Sequence, residues 1–351
     1  MVMLGILALG ILPTAPSPVT PAGFSAIEPQ AASVGGKVFV TCGSGDQIFF
    51  IKSDDGGRSY GLPEKLPTTG HLSLGMRRGP RIAATNHAIV ISAVYAREGG
   101  GKDGDLVAWR STDGGRDWQG PIKVNDAPNA AREGLHAMSA SSDGLFACAW
   151  LDDRAGGKEV WESTSSDAGA TWSKNVRVYH SPAGHVCECC HPSIAFGPKG
   201  EEYVMFRNWL GGSRDMYLSK SIDGGRSFSD AQKLGKGTWS LNACPMDGGA
   251  IAVMSDGSVV TAWRRDGHVF LCRPGQGEAD QGEGTQPWIA TTAVGTDAVW
   301  QQGGQVRWPR ISAAESLGPG KDPMVISVKG HGLAVWADAD GRIWSQSESH
   351  P

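Results

Sequence analysis

Apolar positions in this chain fall in short paired runs rather than in helical stripes. Ile89–Tyr95 precedes Asp105–Ser111, Leu145–Trp150 precedes Glu159–Ser163, and Glu202–Asn208 precedes Met216–Ser219. Runs of roughly four to eight residues, rich in β-branched and aromatic side chains and bounded by turn residues, predict strands. The same grammar recurs in Lys37–Thr41 with Gln47–Lys52, Ser258–Trp263 with His268–Cys272, and Gly332–Trp336 with Arg342–Ser345. Six such pairs predict an all-β chain of six repeated units. The run from Pro274 to Pro309 is less regular, which leaves five or seven units open.

A second pattern follows four of these pairs. It reads Ser53-Asp-Asp55-Gly-Gly57-Arg-Ser59-Tyr60, Ser111-Thr-Asp113-Gly-Gly115-Arg-Asp117-Trp118, Ser165-Ser-Asp167-Ala-Gly169-Ala-Thr171-Trp172 and Ser221-Ile-Asp223-Gly-Gly225-Arg-Ser227-Phe228, at intervals of 58, 54 and 56 residues. That period suits one four-stranded propeller blade. Each copy is a turn: Asp bonds the backbone of its own turn, Gly takes a positive φ, and the closing aromatic ring packs on the blade. The second copy departs from the rest, with Asp117 in the hydroxyl position.

These Asp-boxes resemble those of the sialidase (neuraminidase) superfamily, and the resemblance covers roughly residues 30 to 350. It implies a six-bladed β-propeller of the sialidase type, with Asp55, Asp113, Asp167 and Asp223 as structural clips away from any active site. Closure of the ring is expected to recruit residues near Phe24–Ala32.

Composition agrees with many short strands and tight turns: the 351 residues include 50 Gly, 20 Pro and 13 Trp, and 19% are charged. A formal charge of −4, with no Lys/Arg run longer than two residues, gives no basis for a nucleic-acid partner or a polybasic membrane anchor. Met1–Leu12 is apolar but too short to span a bilayer, and Pro13–Gly23 is small and Pro-rich. Residues 1–23 are therefore expected to be a signal peptide and linker, residues 24–351 a single propeller domain, and the protein secreted or periplasmic. An odd count of seven cysteines leaves at least one without a partner within the chain.

In a propeller the segments leading into the innermost strands and the loops between second and third strands share one face around the channel. The leading segments contribute Arg77, Arg78 and Arg81; Arg132, Glu133 and His136; His185 to His191; Cys244 to Asp247; and Arg307 with Arg310. The second-to-third-strand loops add Asp152, Asp153 and Arg154; Arg207, Asn208, Trp209 and Arg214; and Arg264, Arg265 and Asp266. A planar guanidinium matches a carboxylate or phosphate in a two-bond fork, so an acidic glycan or other anionic ligand is the expected partner. The family binds its substrate carboxylate with three arginines, the first in a Phe/Tyr-Arg-Ile-Pro motif. Gly79-Pro80-Arg81-Ile82 shares its Arg-Ile, so the resemblance implies Arg81, with Arg207 or Arg264 and then Arg310. Trp209, in a Gly-rich loop, is a candidate to stack on a sugar.

The alternative is an exo-α-sialidase-type glycoside hydrolase with a non-standard nucleophile. The family uses a late Tyr assisted by Glu, with a separate Asp as acid/base. Here the five tyrosines are 60, 95, 179, 203 and 217, so the last two blades hold none; Glu315 lies late in the chain, and Asp103, Asp105 and Asp153 are candidate acids that no motif separates. A further alternative is a metal-binding or redox protein. Cys187-Glu188-Cys189-Cys190-His191 lies where the chain enters the fourth blade, and Cys244-Pro-Met246 at the same height in the fifth. These residues suit either a disulfide between Cys244 and one of the other three cysteines, or a copper or zinc ion. The spacing matches no standard zinc motif.

Overall fold

The computed structural model describes residues 15–68, 70–310 and 316–348. Seven antiparallel sheets are arranged in sequence order around one axis. Blade 1 comprises Ile27–Val34, Lys37–Ser44, Gln47–Ser53 and Glu64–Lys65, from the innermost strand outwards, and blade 2 comprises Arg81–Ala84, Ile89–Ala96, Asp105–Ser111 and Gln119–Lys123, with His71–Leu72 added against its second strand. Blades 3, 4 and 5 begin at His136–Ala140, Ser193–Phe196 and Gly249–Val253, blade 6 at Thr285–Thr292 and blade 7 at Lys321–Val328. The second strands of blades 2 and 3 are covered on both faces by neighbouring blades: every residue of Ile89–Ala96 and Phe146–Asp152 is buried. Seven hydrophobic clusters result, each built from two adjacent blades.

The blade count corrects the expectation of six. The first three strands of the additional blade, Thr285–Thr292, Gly295–Gln302 and Gln305–Arg307, lie in the irregular stretch, and its outer strand Ser316–Pro319 follows it. Its strands carry Thr, Gln and Gly at many positions, and only Ile289, Val299, Trp300, Val306 and Trp308 are deeply buried hydrophobics, so no continuous apolar run marks it.

Ring closure also differs from expectation. Ile27–Val34 is the innermost strand of blade 1, and closure comes from Ser17–Pro18, which pairs with Ile343–Ser347 as the outer strand of blade 7. Val19 N donates to Ile343 O (2.9 Å), Ile343 N donates to the Thr20 hydroxyl (2.9 Å), and Val19 is buried. The apolar run Met1–Leu12 lies outside the described residues. No helix among the described residues is long and apolar enough to cross a membrane.

The four Asp-boxes join third to outer strands, on the face opposite the leading segments. In the fourth, Asp223 accepts from the backbone of Arg226 and Ser227 (both 3.0 Å) and from the hydroxyls of Ser221 (2.8 Å) and Ser227 (2.6 Å). Those hydroxyl bonds, with the Ser227 amide, hold its carboxyl down to about 2. Gly115 shows why glycine recurs here: φ is +93°, and a Cβ would stand 2.3 Å from the Phe50 ring of the preceding blade.

Candidate functional site

The segment Leu74–Pro80 enters blade 2 at the mouth of the channel in an unusual backbone. Gly75, Met76 and Arg77 all have positive φ (91°, 56° and 65°), and for the two non-glycine residues this stores roughly 1–3 kcal/mol each. Glu28 holds the loop by accepting from the amides of Gly75 (2.9 Å), Arg78 (3.1 Å) and Gly79 (2.7 Å). Arg77 is buried and donates to Gln286 and to Pro323 O (3.2 Å), which ties the loop across the channel to blades 6 and 7.

The arginines expected to converge on a carboxylate are otherwise employed. Arg81 is buried and donates to the carbonyls of Gly79 (2.8 Å), Pro80 (3.2 Å) and Arg77; burial lowers its pKa to about 10. Arg207, also buried, spends its guanidinium on the carbonyls of Asp247, Gly248, Arg214 and Arg264. Arg264 donates to Pro245 O (2.8 Å) and lies 3.4 Å from Asp247, with its guanidinium 5.3 Å from the Trp239 ring centroid. Arg310 is on the other face. It follows the third strand of blade 6 and pairs with Asp297 (2.7 Å) and Glu348 (3.2 Å). The misplacement follows from the uncounted blade, which shifted the reading frame of the last two units. His136 is buried against Ser92 (3.1 Å), with burial and Arg81 pushing its pKa to about 3, so it is a neutral core residue. Arg154 forks onto its near neighbour Asp152 (2.9 and 2.8 Å).

Two other arginines remain available. A cavity of about 490 Å³ opens on the mouth face between blades 2 and 3, lined by His71, Leu72, Ser73, Leu74, Met76, Arg78, Gly99–Gly101, Arg132 and Glu133. Arg78 anchors through Nε on Glu133 O (2.7 Å) and through Nη1 on Gly75 O (3.4 Å). Arg132 anchors through Nε on Asp153. Arg78 Nη2 and both terminal nitrogens of Arg132 have no protein partner among the described residues. Lys158, nearly buried, bridges Glu133 (3.1 Å) and Asp153 (3.2 Å), so the neighbouring acids are balanced from behind. Met76 is 55% exposed, one of few large apolar side chains so presented. Asp153 therefore sits behind the cavity as an anchor for Arg132, and Glu315 lies outside the described residues.

The cysteines occupy the same face at blades 4 and 5. Cys187, Cys189 and Cys190 are buried, with Cys187 Sγ 3.8 Å from Cys189 Sγ and 3.5 Å from Cys190 Sγ. Met246, at φ 54°, packs against them. Arg214 Nη1 donates to Cys187 Sγ (3.0 Å). Hydrogen bonds from Cys189 and Cys190, with Arg207 and Arg214 nearby, draw the Cys187 thiol well below its usual pKa. Two residues expected in this group stand apart. Cys244 is exposed, and His191 turns its ring onto Gly248, where a Cβ would lie 2.8 Å from it. No disulfide joins any of the seven cysteines; Cys42, Cys148 and Cys272 are buried core thiols. Trp209 packs at a tilt against His185 (centroids 4.6 Å apart) beneath Arg214, on the cysteine side of the face and away from the arginine cavity.

The model of the BNR repeat-like domain matches residues 91–266, half of the chain. The chain belongs to this BNR repeat-like family. Solved structures give the BNR propeller its fold relatives. The α-L-arabinanase of Penicillium chrysogenum complexed with arabinobiose is 13% identical, with a TM-score of 0.58 over 95% of this chain and 97% of that one. A Hadza microbial sialidase is 16% identical, with a TM-score of 0.57 over 95% of this chain and 68% of that one. The leech intramolecular trans-sialidase complexed with 2,7-anhydro-Neu5Ac is 10% identical, with a TM-score of 0.56 over 95% and 69%. No curated protein sequence matches the chain. Identities this low establish a sialidase- and arabinanase-like propeller and nothing finer. For this BNR propeller, Arg78 and Arg132 were visible in sequence only as two of many mouth-face cations. No motif marks them, and what distinguishes them is that both line one cavity and keep unspent donors.

Proposed function

We propose that this BNR propeller is an exported protein that binds an acidic saccharide in the cavity between blades 2 and 3. The observation that carries the reading is the pair of guanidiniums, Arg78 and Arg132, lining one cavity of about 490 Å³ with donors that no group among the described residues uses. A carboxylate there gains charge-assisted hydrogen bonds worth about 1.5–3 kcal/mol apiece. Leu74 and Met76 supply an apolar wall for the C–H face of a sugar ring. The leech fold relative complexed with 2,7-anhydro-Neu5Ac makes an acidic sugar a reasonable first probe. Export places signal cleavage before Ser17, because cleavage after residue 23 would remove the closing strand.

The test is an equilibrium titration with 3′-sialyllactose and with lactose, against wild type and Arg132→Ala. The expected result is binding of the acidic sugar only, weakened about 10- to 100-fold in the variant. Equal affinity for both sugars, or an unchanged affinity in Arg132→Ala, would remove the proposal. A fluorogenic sialoside run in parallel reports whether binding is accompanied by turnover.

A further inference from the structure

We infer a second, separate site on the same face: a copper(I) centre held by Cys187, Cys189 and Cys190 with Met246 as the neighbouring thioether. The three Sγ atoms all lie within 4.8 Å of one another, and they form the only such group of His, Cys, Asp or Glu ligand atoms among the described residues. A metal at about 2.3 Å from each of three sulfurs in a plane sets them about 4 Å apart. The observed separations of 3.5 and 3.8 Å need only small movements to reach that geometry.

The backbone fixes the ligands before any metal arrives. Val186 N donates to Lys158 O (2.8 Å) and Cys187 N to Arg207 O (3.0 Å), so the segment is stitched to both blade 3 and the second strand of blade 4. The Cys-x-Cys-Cys turn then folds its three side chains to one side. A disulfide would use two of these thiols and strand the third in a buried position, whereas a metal uses all three.

Ligand number and charge select the ion. Structural zinc requires four donors in a tetrahedron, commonly Cys or His. Here no fourth Cys, His, Asp or Glu joins the cluster among the described residues, and the side chain packed against it is the Met246 thioether. Thiolate and thioether donors favour copper(I). Three thiolates with copper(I) carry a charge of −2, which Arg214, bonded to Cys187, and the buried Arg207 would neutralise. Arg207 is locked in place by four backbone carbonyls, and Arg214 by Leu241 O (3.1 Å), so both cations are positioned independently of the metal. This arrangement also gives Arg207 a role that a carboxylate clamp does not explain.

The experiment is an anaerobic titration of the reduced, full-length protein with copper(I) in competition with bicinchoninate, followed by the colour of the chelator and by thiolate-to-copper absorption in the ultraviolet. The expected result is withdrawal of one copper(I) per chain. Cys189→Ser is expected to weaken binding by more than the roughly 10- to 100-fold that loss of an outer-sphere group costs. Cys244→Ser is expected to leave it unchanged, which separates the site from any arrangement using that exposed thiol. The wild-type titration stands even where a cysteine variant fails to fold. No copper withdrawn, an affinity unchanged in a folded Cys189→Ser, preference for zinc over copper(I), or a disulfide within Cys187–Cys190 that persists under the reductant would each overturn the assignment.

Discussion

Glu162 and Glu202 stand where other blades place hydrocarbon. Glu162 precedes its Asp-box serine by three residues, the position of Phe50, Ala108 and Leu218, and Glu202 pairs with the box serine as Val38, Ile89 and Phe146 do. Their carboxyl oxygens are buried and find no donor outside the pair among the described residues, and both meet beneath Gly225. Burial, then repulsion from Glu202, raises Glu162 well above its ordinary range; burial, against the shared bond with Glu162 and with help from Asp223, raises Glu202 to about 7. Both carboxyls therefore keep their protons to higher pH than an exposed glutamate does. Because the folded protein holds protons here that the unfolded chain releases near 4.5, stability is expected to fall as pH rises from 4.5 towards 7. Glu202→Gln is expected to raise the thermal midpoint at pH 8 clearly more than at pH 5; equal shifts at both pH values would show that the carboxyls do not titrate together. The sequence offered both residues inside apolar strands but no sign that they meet. The arginines teach the same point, since a guanidinium's identity is written in the sequence and the destination of its donors is not.

At the scale of elements, the Asp-boxes were legible because their chemistry is local. Serine, aspartate, glycine and hydroxyl lie within one turn; the serine and amide bonds to the aspartate are present in each copy and the hydroxyl bond in three. The departure is equally local. Ser59, Thr171 and Ser227 donate hydroxyls to the box aspartate at 2.5–2.6 Å, whereas Asp117 offers only its amide to Asp113 (3.1 Å) and sets a second carboxylate beside the first. Asp117→Ser is expected to give a small rise in the thermal midpoint, largest at low salt where the repulsion is unscreened; a fall would mean that Asp117 serves another contact. Blade 6 was not legible for the opposite reason. It has no box, and its strands alternate buried Trp and Val with Thr and Gln, so neither pattern that marked the other blades was available.

At the scale of the whole molecule, the ring is closed by two residues drawn from the far end of the chain. Deleting residues 15–20 removes the Ser17–Pro18 strand, the Thr20 bonds to Ile343 and Arg342, and the buried Val19. It is expected to lower the thermal midpoint by several degrees and to broaden the transition; an unchanged melt would place closure elsewhere. Closure matters to function because both proposed sites depend on neighbouring blades keeping their positions. The arginine cavity joins blades 2 and 3, and its strained loop is tied by Arg77 to blades 6 and 7. Residues 78 and 132 can share a ligand only when the ring is intact, which is why sequence could name the face and not the site.

The most direct measurement is a crystal structure of the protein soaked with 3′-sialyllactose. Density for the sugar is expected between blades 2 and 3, with its carboxylate on the terminal nitrogens of Arg78 and Arg132. Density on the propeller axis near Arg81 and Arg264, or none at a saturating concentration, would contradict it.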